Sequence, residues 1–215
     1  MNHFAAYFDI LGTKDLVSHG EFSDLHALDF SGAVFVAAHQ HPSSRFAAFS
    51  DCVILTTPSN TPKEFLDVLK LLCGNWMSDG ILVRGGIALG DVKWVDYDHV
   101  DKLISQHNNL SCARVYGAAL NEAVETERSS GPGILAFASD AATECIRKIE
   151  PESVLALSSN IIRHFEWQGL DTWIGYVETF IQFEKKGERL RHLNATNRAL
   201  NLFKKNKPLK AKRPN

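Results

Sequence analysis

The sequence predicts an α+β protein, an α/β sandwich of the ferredoxin-like kind with extra helices at its C-terminal end. Three observations predict it. Short apolar runs of strand length alternate with longer stretches whose apolar residues recur at three-and-four spacing. Two of the strand-length runs, 46–50 and 52–57, follow so closely that only a tight turn at Ser50-Asp51 fits between them, so a hairpin interrupts the alternation. From Trp173 to Lys205 the pattern is mostly helical, and Gly187 is the natural break in a stretch too long for one globular helix.

The elements follow in order. Residues 4–10 (Phe-Ala-Ala-Tyr-Phe-Asp-Ile) read as a buried strand, as do 46–50 (Phe-Ala-Ala-Phe-Ser). Each carries or precedes one carboxylate, Asp9 or Asp51. An ionised Asp among such residues is costly to bury unless it is paired or metal-bound. Two on strands that could lie side by side suggest a divalent-cation site; the alternative is two structural carboxylates satisfied by backbone N–H groups or by a Lys or Arg. Gly12 ends the first strand and allows a tight turn whose N–H groups can face an anion. Thr13–Gly20 fits a helical turn. Asp24–Gln40 fits a longer helix with Leu25, Leu28, Phe30, Val34, Phe35 and Ala38 as its apolar positions. His39 and His41 fall at its end before Pro42, a loop setting rather than a metal site.

Thr61-Pro62-Lys63-Glu64 has the form of a helix start, with Thr as N-cap and Pro at the first helical position. Phe65, Val68, Leu69, Leu72 and Trp76 then give one apolar face, and Gly80 ends the helix. Residues 81–95 form a strand region. Gly85-Gly86 within it mark a bulge or a close backbone approach. His99–Asn109 fits either helix or loop. A helix opens near Tyr116-Gly117-Ala118-Ala119, with small residues on one face, so something packs close to it. Ser129–Pro132 breaks it; Gly133–Ala138 reads as a strand and Asp140–Ile149 as a short helix capped by Ser139 or Asp140.

Composition bounds the function. The chain has 215 residues, 45% of them hydrophobic and 22% charged, which suits a globular domain with a sizeable core. A formal net charge of -2 excludes a polycation built for nucleic acid. Cys52, Cys73, Cys112 and Cys145 form no CxxC pair and read as free thiols. No signal peptide and no apolar run near the roughly 20 residues of a membrane span is present, so a cytoplasmic location is expected. The division expected is 1–150 as the main domain, 151–203 as a C-terminal helical extension, and 204–215 as a basic flexible tail. The extension's helices suit core or dimer packing better than a cofactor. The tail is a solvated terminus or an arm touching phosphate or anionic lipid.

Four segments occur in a telling order: Phe8-Asp9-Ile10-Leu11-Gly12, Phe49-Ser50-Asp51, Arg84-Gly85-Gly86-Ile87-Ala88-Leu89-Gly90 and Gly117-Ala118-Ala119-Leu120-Asn121-Glu122-Ala123. Over roughly residues 4–140 they resemble the class III nucleotide cyclase homology domain, and the 42-residue spacing from Asp9 to Asp51 (51 − 9) is also similar. The resemblance implies that Asp9 and Asp51, with the Ile10 carbonyl, bind two Mg²⁺ or Mn²⁺ ions. It implies that the turn Leu11-Gly12-Thr13 cradles the β- and γ-phosphates, that Arg84 binds the triphosphate, and that Asn121 orients the ribose. It further implies a homodimer, with Asp9, Asp51 and Arg84 from one chain and Asn121 from the other. For Arg84 the residues alone allow a strand-edge ion pair, and for Asn121 a helix cap or turn role.

The departures from the pattern carry information too. The transition-state Arg that follows the Asn by four residues in the family is Glu125 here. Arg128, seven residues past Asn121, could replace it or could pair with Glu125. At the base-reading positions the adenylate cyclases' Lys is Ala47 and their Asp is Arg114; the guanylate cyclases' Glu and Cys are absent too. An Arg is a pure donor suited to pyrimidine carbonyls, although Arg114 could equally be a solvated surface charge. With the short chain and extra C-terminal helices, this resembles the bacterial pyrimidine cyclases of anti-phage signalling. That implies UTP as substrate, cyclic UMP and pyrophosphate as products, and a separate effector that reads the second messenger. CTP with cyclic CMP, an unusual purine cyclase, and a catalytically silent nucleotide-binding domain are the alternatives.

Overall fold

Strand β1 (Asn2–Ile10) is the axis of the molecule. The chain is described here by a computed structural model covering residues 2–96, 114–156, 159–164, 169–184 and 187–205. The alternation in β1 splits its side chains between two layers. Phe4, Ala6, Phe8 and Ile10 enter the main core, while Ala5 joins a smaller cluster with Tyr7 against it. Helices α1 (Thr13–Ser18) and α2 (Asp24–Gln40) follow, then the hairpin β2 (Arg45–Phe49) and β3 (Cys52–Pro58). Helix α3 (Pro62–Ser78) leads to β4 (Val83–Asp91).

β3 and β4 flank β1, both antiparallel to it, and β2 lies outside β3. This β2-β3-β1-β4 order is the ferredoxin-like arrangement the sequence predicts. The core it builds is aromatic. Phe4 stacks on Phe65 at 4.6 Å between ring centroids, and Trp76 meets Phe8 at 5.4 Å and Phe30 at 5.1 Å. The Trp76 indole N–H donates to the Phe30 carbonyl at 3.0 Å, so its one polar group is satisfied. Each such ring, fully buried, stabilises the fold by roughly 1.5–3 kcal/mol.

A short ribbon, β5 (Lys93–Trp94) with β6 (Val115–Tyr116), precedes helix α4 (Ala118–Ser129). Ala119 and Ala123 of α4 are buried with Ala5, Ala88 and Val92 on the second sheet face. Gly86 makes this approach possible: a Cβ there would stand 1.9 Å from the Ala123 carbonyl oxygen. β7 (Ala136–Ala138) then adds parallel to β4, and α5 (Asp140–Arg147) follows. Residues beyond 150 begin with two strands, β8 (Val154–Ala156) and β9 (Asn160–Ile162), which extend the same sheet past β7. Helices α6 (Leu170–Phe183) and α7 (Glu188–Lys205) complete the chain, broken at Gly187 with φ of 109°. Among the described residues no helix is long and apolar enough to cross a membrane.

Several expectations need correction. β2 is the sheet edge, not a buried strand: Ala47 is its one buried residue and Phe49 is 58% exposed. Helix α2 turns Phe30, Ala33, Val34 and Ala37 inward and leaves Leu25, Leu28 and Phe35 exposed. It has apolar residues on two faces, so periodicity alone could not choose between them. Thr61 precedes α3 as expected, but its hydroxyl donates backward to the Pro58 carbonyl at 3.0 Å instead of accepting from the helix. The strand expected over 133–138 is confined to 136–138, because Gly133 and Ile134 give their N–H groups to helix α7. The helix expected to reach Ile149 ends at Arg147. The readings at His99–Asn109, Cys112, Lys185, Lys186 and the tail after 205 lie outside the described residues; Lys204 is still in α7 and pairs with Asp171 at 2.8 Å.

Candidate active site

Asp9 lies near the C-terminal end of β1, opposite Cys52 on one side and Arg84 on the other. Directly opposed residues share a sheet face, so Asp9, Cys52 and Arg84 face the α4 side together with Tyr7. Asp51 occupies the β2–β3 turn, where Ser50 takes a φ of 53°, and the Asp51 carbonyl accepts the Ile10 N–H at 2.9 Å. That bond fixes the hairpin turn beside the end of β1 and brings the two carboxylates together.

The electrostatics confirm the proximity. Burial pushes the Asp9 carboxyl up to about 6, and the charges of Asp51 and Glu127 push the same way against Arg84. Burial and then Asp51 and Asp9 hold the Cys52 thiol up at about 11. Burial and then Asp9 raise the Tyr7 hydroxyl well above its ordinary range. Three neighbouring groups are thus held toward their protonated forms, chiefly by burial and then by the carboxylates around them.

Arg84 is 8% exposed, and its guanidinium is bound to the end of helix α4. Nε donates to the Glu127 carboxylate, Nη2 to the Glu127 and Ser130 carbonyls (3.2 Å to Ser130), and Nη1 to the Gly131 carbonyl at 3.0 Å. It satisfies carbonyls that a helix end leaves open and stacks over the Phe137 ring at 5.3 Å. Arg84 thus forms a buried ion pair with Glu127 of α4 on an interior strand, not at a strand edge. Arg128 lies 3.8 Å from Glu125, and both side chains are largely in solvent. Arg128 also lines the cavity that contains Asp9. Asn121 is exposed in the first turn of α4, with its N–H on the Gly117 carbonyl at 3.2 Å. It does not line that cavity. Seven residues of helix separate it from Arg128, about 10 Å along the axis.

The turn after β1 is tight, and its Leu11 N–H is engaged within the protein. Gly12 takes a φ of 78°, the Leu11 N–H is held by the Leu82 carbonyl at 2.8 Å, and the Thr13 hydroxyl donates to the Ile10 carbonyl at 3.0 Å. At the positions expected to read the base, Ala47 is buried opposite Ile54, and Arg114 donates from Nε to the Val95 carbonyl at 3.0 Å. The strand that carries Ala47 also takes part in a cluster the sequence did not reveal. Arg45 grips Asp96 with two bonds of 2.8 and 2.7 Å and lies over the Trp94 ring at 4.5 Å.

The residues present fit a hard divalent cation. Among the described residues no side chain donates a hydrogen bond to the Asp9 carboxylate, and no three His, Cys, Asp or Glu side chains gather into a complete ligand set. Two carboxylates with positions left for water and phosphate are the pattern Mg²⁺ prefers. Two other contributors had escaped the sequence reading. Glu127 had a signal: an Arg within an apolar strand needs a buried partner. His192 of helix α7, which lines the same cavity, had none.

Fold and site together describe an α+β sandwich with one carboxylate near the end of its central strand and a second in the adjoining hairpin turn. This is the class III nucleotide cyclase fold. The guanylyl cyclase domain of the RhoGC fusion protein from Blastocladiella emersonii superposes with a TM-score of 0.54 at 12% identity, over 75% of this chain and 94% of that one. The guanylate cyclase domain of RhGC from Catenaria anguillulae, in complex with GTP, gives 0.51 at 12% identity, over 74% and 92%. A bacterial light-regulated adenylyl cyclase gives 0.51 at 10% identity, over 81% and 96%. No protein-family model matches the chain, and no curated protein matches it in sequence.

Proposed function

We propose that the protein is a nucleotide cyclase that closes a nucleoside triphosphate to a 3′,5′-cyclic monophosphate with release of pyrophosphate. The observation that carries this reading is the Asp9–Asp51 pair in a cyclase fold, one at the end of β1 and the other in the adjoining β2–β3 turn, near enough that the charge of Asp51 acts on Asp9. Two Mg²⁺ or Mn²⁺ ions on these carboxylates and the Ile10 carbonyl would supply Lewis acidity toward the 3′-hydroxyl and the leaving phosphates. The chain's own part is to position. The turn Leu11-Gly12-Thr13 holds the β- and γ-phosphates, and Asn121 of a second protomer orients the ribose. Arg128 and the end of α4 border the phosphates.

The substrate we favour is UTP, with CTP next. With a small Ala47 and a donor-only Arg114 at the positions expected to read the base, the site lacks the acceptor that would read an adenine amino group and offers a donor to a pyrimidine carbonyl. The product would then be cyclic UMP, a second messenger in anti-phage defence read by a separate effector. One observation favours the silent-domain alternative: Arg84 and Arg128 are both paired with glutamates of α4. Mixing separately purified Asp51→Ala and Asn121→Ala chains decides between the two. Recovery of part of the wild-type turnover from UTP supports a composite site in a homodimer. Absence of turnover in the mixture and in the wild-type protein, with dimers intact, supports the silent domain.

A further inference from the structure

We infer that helix α7 of the C-terminal segment completes the triphosphate site, with Arg191 as the guanidinium that meets the phosphate chain. The inference rests on the reading of this site as one for a nucleoside triphosphate. The cavity holding Asp9 has a volume of about 400 Å³. The end of α4 bounds it on one side, and Glu188, Arg191 and His192 of α7 bound it on the other. Of its three guanidiniums, Arg84 is bound by Glu127 and by the carbonyls beyond α4, and Arg128 stands 3.8 Å from Glu125 at the exposed end of α4. The Arg191 side chain makes no hydrogen bond or ion pair with the described residues. Once Arg84 and Glu127 offset each other, Arg191 is the cation that α7 contributes to the lining of the Asp9 cavity.

Its root is rigid. The adjacent His192 is buried, and its Nδ1 accepts the Gly133 N–H at 3.0 Å. Thr196, one turn on and fully buried, accepts the Ile134 N–H at 2.7 Å. These two bonds seat α7 on the same 131–134 segment that receives Arg84. Helix α7 also touches the phosphate turn. The Arg189 stem passes 3.4 Å from where a Cβ on Gly12 would stand, and its Nη1 is held by Glu184 at 3.2 Å. One helix therefore reaches both the turn after β1 and the cavity around Asp9. A planar guanidinium fork from such a fixed base suits the non-bridging oxygens of a polyphosphate. Glu188, on the same side of the cavity, has its side chain 70% exposed.

The test is titration calorimetry of Mn²⁺-tripolyphosphate binding to the full chain. Losing one charge-assisted contact predicts affinity weakened about tenfold to a hundredfold in Arg191→Ala. Arg191→Lys should fall between that variant and wild type. Arg198→Ala, further along α7 and outside this cavity, should bind as wild type does. Circular dichroism establishes that each variant is folded. Undiminished binding by Arg191→Ala, alongside lost binding by Asp9→Ala, overturns the role of Arg191 and leaves the triphosphate reading standing. No binding by the wild-type chain overturns that reading, and this inference with it.

Discussion

Replacing Gly86 with alanine tests how the site is assembled, because it adds a single methyl where helix α4 crosses strand β4. The new Cβ would stand 1.9 Å from the Ala123 carbonyl oxygen and 2.5 Å from the Glu127 nitrogen. Both are backbone atoms of a helix, so no side chain can swing aside. Restoring ordinary contact requires α4 to retreat by about 1.5 Å. Overpacking of this kind costs on the order of 3 kcal/mol. For a chain of this size, each kcal/mol moves the Tm by roughly 2–4 °C, so a drop of about 10 °C is expected. The same shift carries away Glu127, which holds Arg84, together with Arg128. A misplacement near 1 Å can lower turnover about a hundredfold. Thermal unfolding followed by circular dichroism and a product assay measure the two effects. Gly175→Ala in helix α6 is the control. Nothing lies within 4 Å of its added methyl, and the change should raise stability by up to about 1 kcal/mol. A Gly86→Ala protein melting within about 2 °C of wild type would refute the close approach of α4 to the sheet.

Three further outcomes are expected. Arg84→Gln leaves the Glu127 carboxylate without its buried partner and should cost about 3–5 kcal/mol in chemical denaturation; a loss below 1 kcal/mol would remove the clamp on α4. His164 is buried, and burial holds its imidazole down at about 4 against an ordinary 6.5. The unfolded chain therefore takes up a proton below about pH 6.5 that the folded chain refuses until about pH 4. Stability should fall as pH drops through that window, by about 3 kcal/mol in all, and His164→Gln should flatten the profile. The Asp9 carboxyl, raised to about 6, is mostly protonated at pH 5. Mn²⁺ binding there should release close to one proton, and close to none at pH 8. Calorimetry in buffers of different ionisation enthalpy reads this number directly.

The sequence disclosed the elements that carry strong local rules. Pro62 and Gly80 bracket α3 because each acts through its own backbone: Pro62 stands at the first helical position, and Gly80 takes a φ of 75° while the Ile81 N–H returns to the Trp76 carbonyl at 2.8 Å. The close approach of Gly86 to Ala123, and of Gly90 to Ala119, was legible because small residues on both partners mean close approach. The faces of α2 were not, because outward Leu25, Leu28 and Phe35 imitate a buried stripe. Nor was β2's position legible, since an edge strand and a central one share the same alternation. In the site, Asp9, Asp51 and Gly12 stood out because a carboxylate in an apolar run and a glycine after it break the pattern around them. Arg84 also stood out, but its partner Glu127 lies 43 residues away on an exposed-looking helix. The contribution of α7 was hidden for the same reason. Arg191 and His192 look like ordinary polar helix residues until the bonds from Gly133 and Ile134 place them at the cavity.

The most direct test of metal-assisted cyclisation at Asp9 and Asp51 is a product assay. Purified protein is incubated with Mn²⁺ and each of UTP, CTP, ATP and GTP, and cyclic monophosphates are identified by mass spectrometry, with Asp9→Asn run in parallel. The expected result is cyclic UMP from UTP with wild-type protein, lost in Asp9→Asn while the fold is retained. A cyclic product formed at equal rates by wild type and Asp9→Asn would contradict the central claim.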